Sequence, residues 1–205
     1  MKNPWEEIPL SDYENHMKLD SVLQLQVLNT MMKQQFSRYP VKTAMVLGVA
    51  GGNGLEHIDA NRFEKIYGVD INAEYLKTCA ARFERLGDSL KCLCVDLSQE
   101  DAELPQAELL IANLLIEYIG YECFQKSVLK VQPIYVTCII QINTDDSFVS
   151  DSPYLHVFDD LDKVHHQMAE KELEEAMKQI NYRFLEKTEQ KLPNGKKLVQ
   201  LDFMR

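Results

Sequence analysis

A glycine-rich segment and two later aspartates have the residue types and spacing of a ligand site. Four of the eight glycines lie within Gly48–Gly54, and glycine lets a backbone turn sharply and approach a ligand closely. Asp70 ends an apolar run, and Asp96 ends the next run of the same kind. The Asp70 carboxylate oxygens could accept hydrogen bonds from a ribose diol. Together the three signals favour a nucleoside site.

Each signal also has an interpretation without a ligand. The glycines could form a tight turn between a strand and a helix that begins near Leu55, and each aspartate could be a helix N-cap. A dinucleotide fingerprint needs glycines at i, i+2 and i+5, and a count from Gly52 and Gly54 reaches His57 at the third position. The spacing therefore argues against an NAD-type cofactor.

Apolar runs predict the strands that position these residues. Ala44–Ala50 is a continuous apolar run next to glycines, which is typical of a buried parallel strand. Segments of helical periodicity, one of them running from Ala73 to a stop at Gly87, separate it from further runs at 65–69, 90–95, 108–112 and 134–142. This alternation predicts a parallel sheet with helices on both faces. The glycine turn and both aspartates should then meet at the carboxyl ends of the strands, where open sheets bind ligands.

The C-terminal part of the chain predicts a change of direction. An amphipathic helix is expected over Leu161–Ile180, after which two strand-like runs cover 181–190 and 196–204. The pair Asn194-Gly195 lies between them, and this dipeptide is a strong hairpin signal. The sheet should therefore end antiparallel.

Two segments are available to cover one edge of this sheet. The first 40 residues contain a stretch, 10–39, with helical spacing and a candidate cap at Asp20 or Ser21. The second segment is 145–166. Both are long enough to form a cap.

Composition limits the classes of function. A length of 205 residues fits one globular domain with additions, and 45% hydrophobic with 26% charged residues exclude disordered and fibrous classes. A net charge of -10 argues against nucleic acid and anionic lipid as partners. We expect no signal peptide and no membrane span. Five cysteines, an odd number, fit reduced thiols in the cytoplasm.

Two residue pairs could suggest a metal, but neither has a complete ligand set. Cys92 and Cys94 would share one face of a strand, and Asp162 and His166 one face of a helix. No second Cys or His pair follows the cysteines at zinc-like spacing. We therefore expect core thiols, a solvated helix start and no metal site.

The chain resembles the class I S-adenosylmethionine-dependent methyltransferases over residues 43–205, with the sharpest agreement at Val46–Gly54, Ile66–Asp70, Cys94–Leu97 and Leu109–Tyr118. The resemblance implies an α/β, Rossmann-like methyltransferase fold. Its sheet would have seven mostly parallel strands, helices on both faces and a C-terminal antiparallel hairpin. The chain would form one domain over 1–205, with an N-terminal cap at 1–40, the core at 43–205 and a possible cap insertion at 145–166.

The resemblance also implies how S-adenosylmethionine would bind. The loop from Gly51 to Gly54 would wrap the methionine part, Asp70 would hold the ribose hydroxyls, and Asp96 would meet the adenine amino group. Two apolar residues would flank the adenine ring, and the segment Leu109–Tyr118 would face the methyl group and the acceptor. The expected cofactor contacts are Gly48, Ala50, Gly51, Gly52, Asn53, Gly54, Asp70, Ile71, Asp96, Leu97 and Asn113.

Two positions depart from the family pattern. The family usually has an acidic residue where this chain has Gly48, and a glycine where it has Ala50. We expect the second change to be mild, because alanine tolerates an ordinary negative φ. The missing acid motivates an alternative hypothesis, a non-catalytic cofactor-binding or interaction protein. An NAD(P)-dependent oxidoreductase is a further alternative.

Methyl transfer requires placement of two reactants and exclusion of water, with a general base where the acceptor is a weak acid. Candidate catalytic residues are Glu117, Tyr118 and His16, and these three with Tyr13 and His156 are candidate substrate contacts. Glu117 could instead favour the start of a helix, and His16 could be a surface residue.

The expected acceptor is a small molecule. By resemblance, base-modifying members have Asp or Asn followed by Pro-Pro and an aromatic residue, whereas Asn113 here is followed by Leu114-Leu115-Ile116. Together with the negative charge, this argues against nucleic acid. The acceptor atom and the oligomeric state stay open.

Overall fold

Seven strands form one sheet in the computed structural model, which describes residues 3–143 and 148–205. The strands are β1 (Thr43–Leu47), β2 (Lys65–Asp70), β3 (Leu90–Cys94), β4 (Leu109–Asn113), β5 (Tyr135–Ile142), β6 (Arg183–Lys191) and β7 (Lys197–Met204). Their order is β3-β2-β1-β4-β5-β7-β6. The first five strands run parallel, and β7 lies antiparallel between β5 and β6. The predicted α/β fold, its mostly parallel sheet and its terminal hairpin are confirmed.

Helices cover both faces of the sheet, as predicted. They are α1 (Leu10–Lys18), α2 (Gln24–Arg38), α3 (Ala73–Arg82), α4 (Ile116–Val131) and α5 (Glu170–Gln179). Phe36 of α2 and the buried side of α3 pack in one core with Val46 of β1. Phe124 of α4 and the buried side of α5 pack in a second core with Leu47. Because neighbouring strand residues point to opposite faces, the continuous apolar run of β1 serves both cores.

The stretch 10–39 with helical spacing contains two helices, α1 and α2, with a break between them, and the predicted cap of the second helix is wrong. Neither Asp20 nor Ser21 caps α2; its N-cap is Leu23, whose φ is 57°. Val22, in the break, is fully buried at 0% exposure, and the break lets α1 fold back onto α2. Val22 in the break continues the apolar spacing of α2, so this spacing does not show that α2 begins only at Gln24.

Three other predicted helices are shorter than expected. The helix near Leu55 is a single 3-10 turn, Leu55–His57. Helix α3 ends at Arg82, so Gly87 lies in the next 3-10 segment and does not stop α3. The helix predicted over 161–180 is divided into a 3-10 segment, Leu155–Lys163, and α5. Between these two pieces the N–H of His166 donates to the Glu117 carbonyl at 2.7 Å and not to a helical partner.

The N-terminal elements and residues 148–163 lie over the carboxyl edge of the sheet. Trp5, in a 3-10 turn, and Tyr13 of α1 pack with Phe158 and Tyr118, which follows β4. Residues 145–147 of the predicted cap insertion lie outside the described residues. The organisation of 1–205 as one domain stays a prediction. Among the described helices, none combines the length and the apolar character needed to cross a membrane.

Candidate functional site

A cavity of about 720 Å³ lies at the carboxyl ends of the first four strands. We call it the Asp70 cavity. Seven of the expected cofactor contacts line it: Gly48, Ala50, Asp70, Ile71, Asp96, Leu97 and Asn113. The parallel sheet therefore brings together residues that are far apart in the sequence.

Asp70 joins the turn after β1 to the turn after β2. Its Oδ2 accepts the N–H of Ala50 and its Oδ1 accepts the N–H of Asn72, both at 2.9 Å. Burial raises the pKa of this carboxyl above its usual value, although the backbone hydrogen bonds act in the opposite direction. Since a carboxylate oxygen can accept more than one hydrogen bond, both oxygens can also accept from a ligand diol in the cavity.

Asp96 lies beside the cavity, but its carboxylate is used by its own turn. Oδ1 accepts the N–H and the hydroxyl of Ser98 at 2.9 and 2.6 Å, and Oδ2 accepts from Gln99 Nε2 at 2.9 Å. Partial burial raises the pKa of Asp96, but these hydrogen bonds outweigh it and the net shift is downward. The contact with an adenine amino group stays a prediction.

Two of the glycines approach protein and not a cavity. A Cβ atom on Gly52 would lie 2.5 Å from Phe83 Cε2, and one on Gly54 would lie 2.6 Å from Met32 Sδ. Both residues have a left-handed backbone, with φ of +89° and +91°. Neither lines the Asp70 cavity. The structure thus requires glycine here for close packing against α2 and the end of α3.

Gly51 and Asn53 line a smaller cavity that adjoins the Asp70 cavity at Gly48 and Ala50 and is bounded by Glu14. The Asn53 side chain also donates from Nδ2 to the Leu25 carbonyl at 3.0 Å, which attaches the turn to α2. The turn therefore presents part of its backbone to a cavity and part to the protein.

The expectation of an ordinary φ at Ala50 is wrong. Its φ is +46°, in a region where a residue with a Cβ is strained. Gly48 has a φ of +66°, and a Cβ there would lie 3.1 Å from Leu115 Cδ1. The backbone after β1 thus gives a physical reason for glycine, and against an acidic side chain, at position 48.

A second cavity, of about 520 Å³, adjoins the first. We call it the Glu117 cavity. It shares Trp5, Tyr13, Leu114 and Tyr118 with the Asp70 cavity. Its remaining wall includes His16, Gln24, Gln141, Phe148, Phe158 and His165. Four of the five candidate substrate contacts, Tyr13, His16, Glu117 and Tyr118, therefore meet in one place.

Glu117 is a buried acid at the start of α4, with 3% exposure. Its Oε1 accepts the N–H of Gln141 at 2.7 Å, whereas Oε2 has no hydrogen-bond partner among the described residues. Burial raises the pKa of Glu117 to about 7, with the bond from Gln141 acting in the opposite direction. The residue occupies the first turn of a helix and also lines the cavity.

The candidate histidines differ in position. His16 is not a surface residue: it is 4% exposed, its Nδ1 lies 2.8 Å from Ser152 Oγ, and burial lowers its pKa, as does nearby Lys196. The side chain of His156 is 92% exposed and lines neither named cavity. In the described ranges no group of three or more His, Cys, Asp or Glu residues could hold a metal ion.

Three aromatic residues, Trp5, Tyr13 and Tyr118, line both cavities, and we call them the aromatic wall. The Trp5 ring lies nearly perpendicular to the rings of Tyr118 and Tyr13, with ring centroids 4.9 and 5.5 Å apart. Burial raises the pKa of both tyrosines, so both phenols are neutral. Sequence analysis did not identify Trp5 or the cavity residue His165, which stacks on Phe148 at 3.8 Å. No spacing signal distinguishes these residues, because only long-range packing brings them to the site.

Comparison with known proteins shows the fold. No protein-family model matches the chain, and no curated protein matches it. A solved S-adenosylmethionine-dependent methyltransferase from Leishmania major superposes with a TM-score of 0.71 at 12% identity, over 98% of this chain and 80% of its own. Geranyl diphosphate C-methyltransferase from Streptomyces coelicolor superposes with a TM-score of 0.64 at 12% identity, over 88% of this chain and 80% of its own. A [4+2]-cyclase superposes with a TM-score of 0.65 at 9% identity, over 87% of this chain and 80% of its own.

The chain therefore has the Rossmann-like methyltransferase fold, and the resemblance seen in the sequence is confirmed at the level of the fold. Because one of these structures is a cyclase, the fold by itself does not decide the reaction. The function must be argued from the site.

Gly52→Ala should destabilise the protein by about 2–4 kcal/mol, because the new Cβ meets Phe83 in a left-handed backbone. The matched control is Gly87→Ala, where φ is +50° and an added Cβ would have no atom of the described residues within 4 Å. Gly87→Ala has only the free-energy cost of a positive φ, without a steric contact. Gly52→Ala should therefore lose at least about 1 kcal/mol more of the free energy of unfolding than Gly87→Ala. Urea unfolding measures both, and equal losses would contradict the packing argument.

Glu117→Gln should make the protein more stable at pH 8. The pKa of Glu117 is about 7 in the folded state against 4.5 for an unperturbed group. The native state binds more protons between these values, so wild-type stability falls as the pH rises through this window, by up to about 3 kcal/mol. Gln can still accept the N–H of Gln141. The gain should disappear below pH 4.5.

The control for this experiment is Glu122→Gln, on the same helix with an 82% exposed side chain. Thermal or urea unfolding from pH 4 to pH 8 should give no comparable pH-dependent gain for this variant. A Glu117→Gln variant whose stability follows the wild type at every pH would contradict the raised pKa.

Proposed function

We propose that the chain is an S-adenosylmethionine-dependent methyltransferase that acts on a small-molecule acceptor. In this proposal the Asp70 cavity binds the cofactor and the Glu117 cavity binds the acceptor. The observation that carries it is the junction of the two cavities at the carboxyl edge of the sheet, where they share Trp5, Tyr13 and Tyr118. Two reactants in adjoining cavities meet at this junction, which is the placement that methyl transfer requires.

The residues of the Asp70 cavity fit this cofactor. Asp70 is 9% exposed and lines the cavity, and its carboxylate can accept hydrogen bonds from the two hydroxyls of a ribose. Ile71 and Leu97 provide apolar walls for an adenine ring. The adjoining cavity at Gly51 and Asn53 extends the space toward a methionine part. When bound, the cofactor supplies a methyl group on a positively charged sulfur.

The structural neighbours support the cofactor class. The Streptomyces coelicolor structure contains S-adenosyl-L-homocysteine, and the Leishmania major protein is an S-adenosylmethionine-dependent methyltransferase. These statements concern proteins at 12% identity. They support the proposal for this chain together with the position of Asp70.

The aromatic wall and the acceptor cavity have separate proposed roles. Trp5, Tyr13 and Tyr118 present faces and edges that exclude water and can stabilise a cation between the cavities. Glu117 and His16 are the candidates for holding or accepting a proton of the acceptor. The net charge of -10 favours a metabolite over nucleic acid as the acceptor.

Asp70→Ala should weaken binding of S-adenosylhomocysteine at least tenfold, because hydrogen bonds to a charged group contribute about 1.5–3 kcal/mol. Asp70→Asn keeps the shape of the side chain and removes its charge, so it should give an intermediate loss. Isothermal titration calorimetry measures both affinities.

The control is Asp88→Ala, which removes an exposed aspartate elsewhere on the chain and should leave the affinity unchanged. Circular dichroism and thermal melting check that each variant is folded. A folded Asp70→Ala variant with wild-type affinity would place the cofactor elsewhere, and a wild-type protein that binds no S-adenosylhomocysteine would refute the proposed function.

A further inference from the structure

We infer that the Glu117 cavity recognises a small amine and that Glu117 Oε2 accepts the hydrogen of its nitrogen. This inference rests on the proposed function and specifies the acceptor class of the same site. It begins from Glu117, which lines the cavity and whose Oε2 is buried without a hydrogen-bond partner among the described residues. A buried polar atom of this kind normally has a partner, and a ligand N–H is the complementary group.

The backbone holds Glu117 in this orientation. Its Oε1 is occupied by the N–H of Gln141 on β5, so the carboxylate is fixed at one oxygen and leaves the other for a ligand. The Gln141 side chain is held in turn, donating to Asn143 Oδ1 at 2.7 Å and to the Phe148 carbonyl at 2.9 Å and accepting from Gln24. The site is thus organised before a ligand arrives.

The charge of the cavity wall favours a cation over an anion. Glu117 is the only Asp, Glu, Lys or Arg among its described lining residues. Burial lowers the pKa of His16 and His165, so both are neutral at pH 8. Lys196 does not line the cavity, and its Nζ donates to the Phe148 carbonyl at 2.8 Å. A carboxylate ligand would meet the Glu117 charge with no cation among the described lining residues to balance it.

The groups that face Glu117 from the neighbouring elements carry no charge of their own. Tyr13 of α1, Tyr118 and Tyr121 of α4 and Cys138 of β5 all sense the Glu117 carboxylate, and the pKa of each is raised by burial. The protonated side chains of these tyrosines and of this cysteine are uncharged. None of these four groups supplies a positive charge to the Glu117 carboxylate, and an ammonium group would supply one.

The aromatic wall has the second property that an amine site needs. Trp5, Tyr13 and Tyr118 line the cavity together with Phe158, and aromatic faces attract ammonium groups. The apolar body of an amine can pack against the same rings. An uncharged alcohol could make the same apolar contacts, but the Glu117 carboxylate would not attract it as it attracts an ammonium group.

In this inference Glu117 takes up the proton that an ammonium ligand must lose before its nitrogen can be methylated. An ammonium ligand gives one proton to the Glu117 carboxylate, which forms a carboxylic acid and a neutral amine. The nitrogen lone pair then forms the N–C bond to the methyl group as the C–S bond breaks with its electron pair going to sulfur. The methylated ammonium product and the neutral thioether leave, and the proton on Glu117 returns to water.

The test measures binding at pH 8, where the Glu117 carboxylate of the free protein is ionised. Calorimetric titrations of the full chain, with and without S-adenosylhomocysteine, use butylamine and phenethylamine, the matching alcohols 1-butanol and 2-phenylethanol, and the anions butyrate and phenylacetate. At least one amine should bind tenfold or more tightly than its alcohol, and the anions should bind most weakly. Glu117→Gln should reduce the affinity for that amine at least tenfold and change the alcohol affinity less than twofold.

The matched control is Glu122→Gln, which removes one carboxylate from the exposed side of α4 and should keep the amine preference. Binding of an alcohol or anion as tight as that of its amine, an unchanged preference in Glu117→Gln, or no binding in the whole series would overturn the inference. If S-adenosylhomocysteine binds and the amine preference is absent, only this inference fails. Absence of S-adenosylhomocysteine binding refutes the proposed function independently.

Discussion

One buried carboxylate determines the shape of the proposed cofactor site. Asp70 accepts backbone N–H groups from Ala50 and Asn72, and so ties the turn after β1 to the start of α3 at the edge of the sheet. Ala50 has a positive φ there, a conformation that costs about 1–3 kcal/mol and persists only where the surrounding structure enforces it. The hydrogen bond from the Ala50 N–H to Asp70 helps to hold this backbone conformation. The cavity is therefore shaped by contacts within the protein before a ligand binds.

The N-terminal segment depends on the same turn. Asn72 caps α3 with its side-chain oxygen and donates from Nδ2 to the Trp5 carbonyl at 2.9 Å, and the Tyr75 hydroxyl donates to the Ile8 carbonyl at 2.8 Å. These two bonds attach a segment that has little regular structure of its own to the first turn of α3. Trp5 is thereby held where it lines both the proposed cofactor cavity and the proposed acceptor cavity.

In the Glu117 cavity, the residue proposed to bind the acceptor also lowers the stability of the folded protein. Glu117 is buried with one oxygen unpartnered among the described residues, which destabilises the folded protein when the group is ionised. Perturbed carboxyl groups in enclosed cavities are concentrated at functional sites. The same residue lies in the first turn of α4, where the helix dipole favours an acid, so part of the cost is offset locally.

The sequence by itself determined the sheet, the hairpin at Asn194-Gly195 and the meeting of Asp70 with the glycine turn, because apolar runs and turn residues are local signals and parallel strands place their carboxyl ends together. It also indicated Glu117 and Tyr118, which lie at the start of α4, soon after β4. Only the tertiary structure decided that His16 is buried beside Ser152, 136 residues away, that His156 is exposed, and that Ala50 is left-handed. Periodicity reports which side of an element is apolar. It does not report where the chain reverses or which distant side chains share a cavity, because those depend on packing between elements.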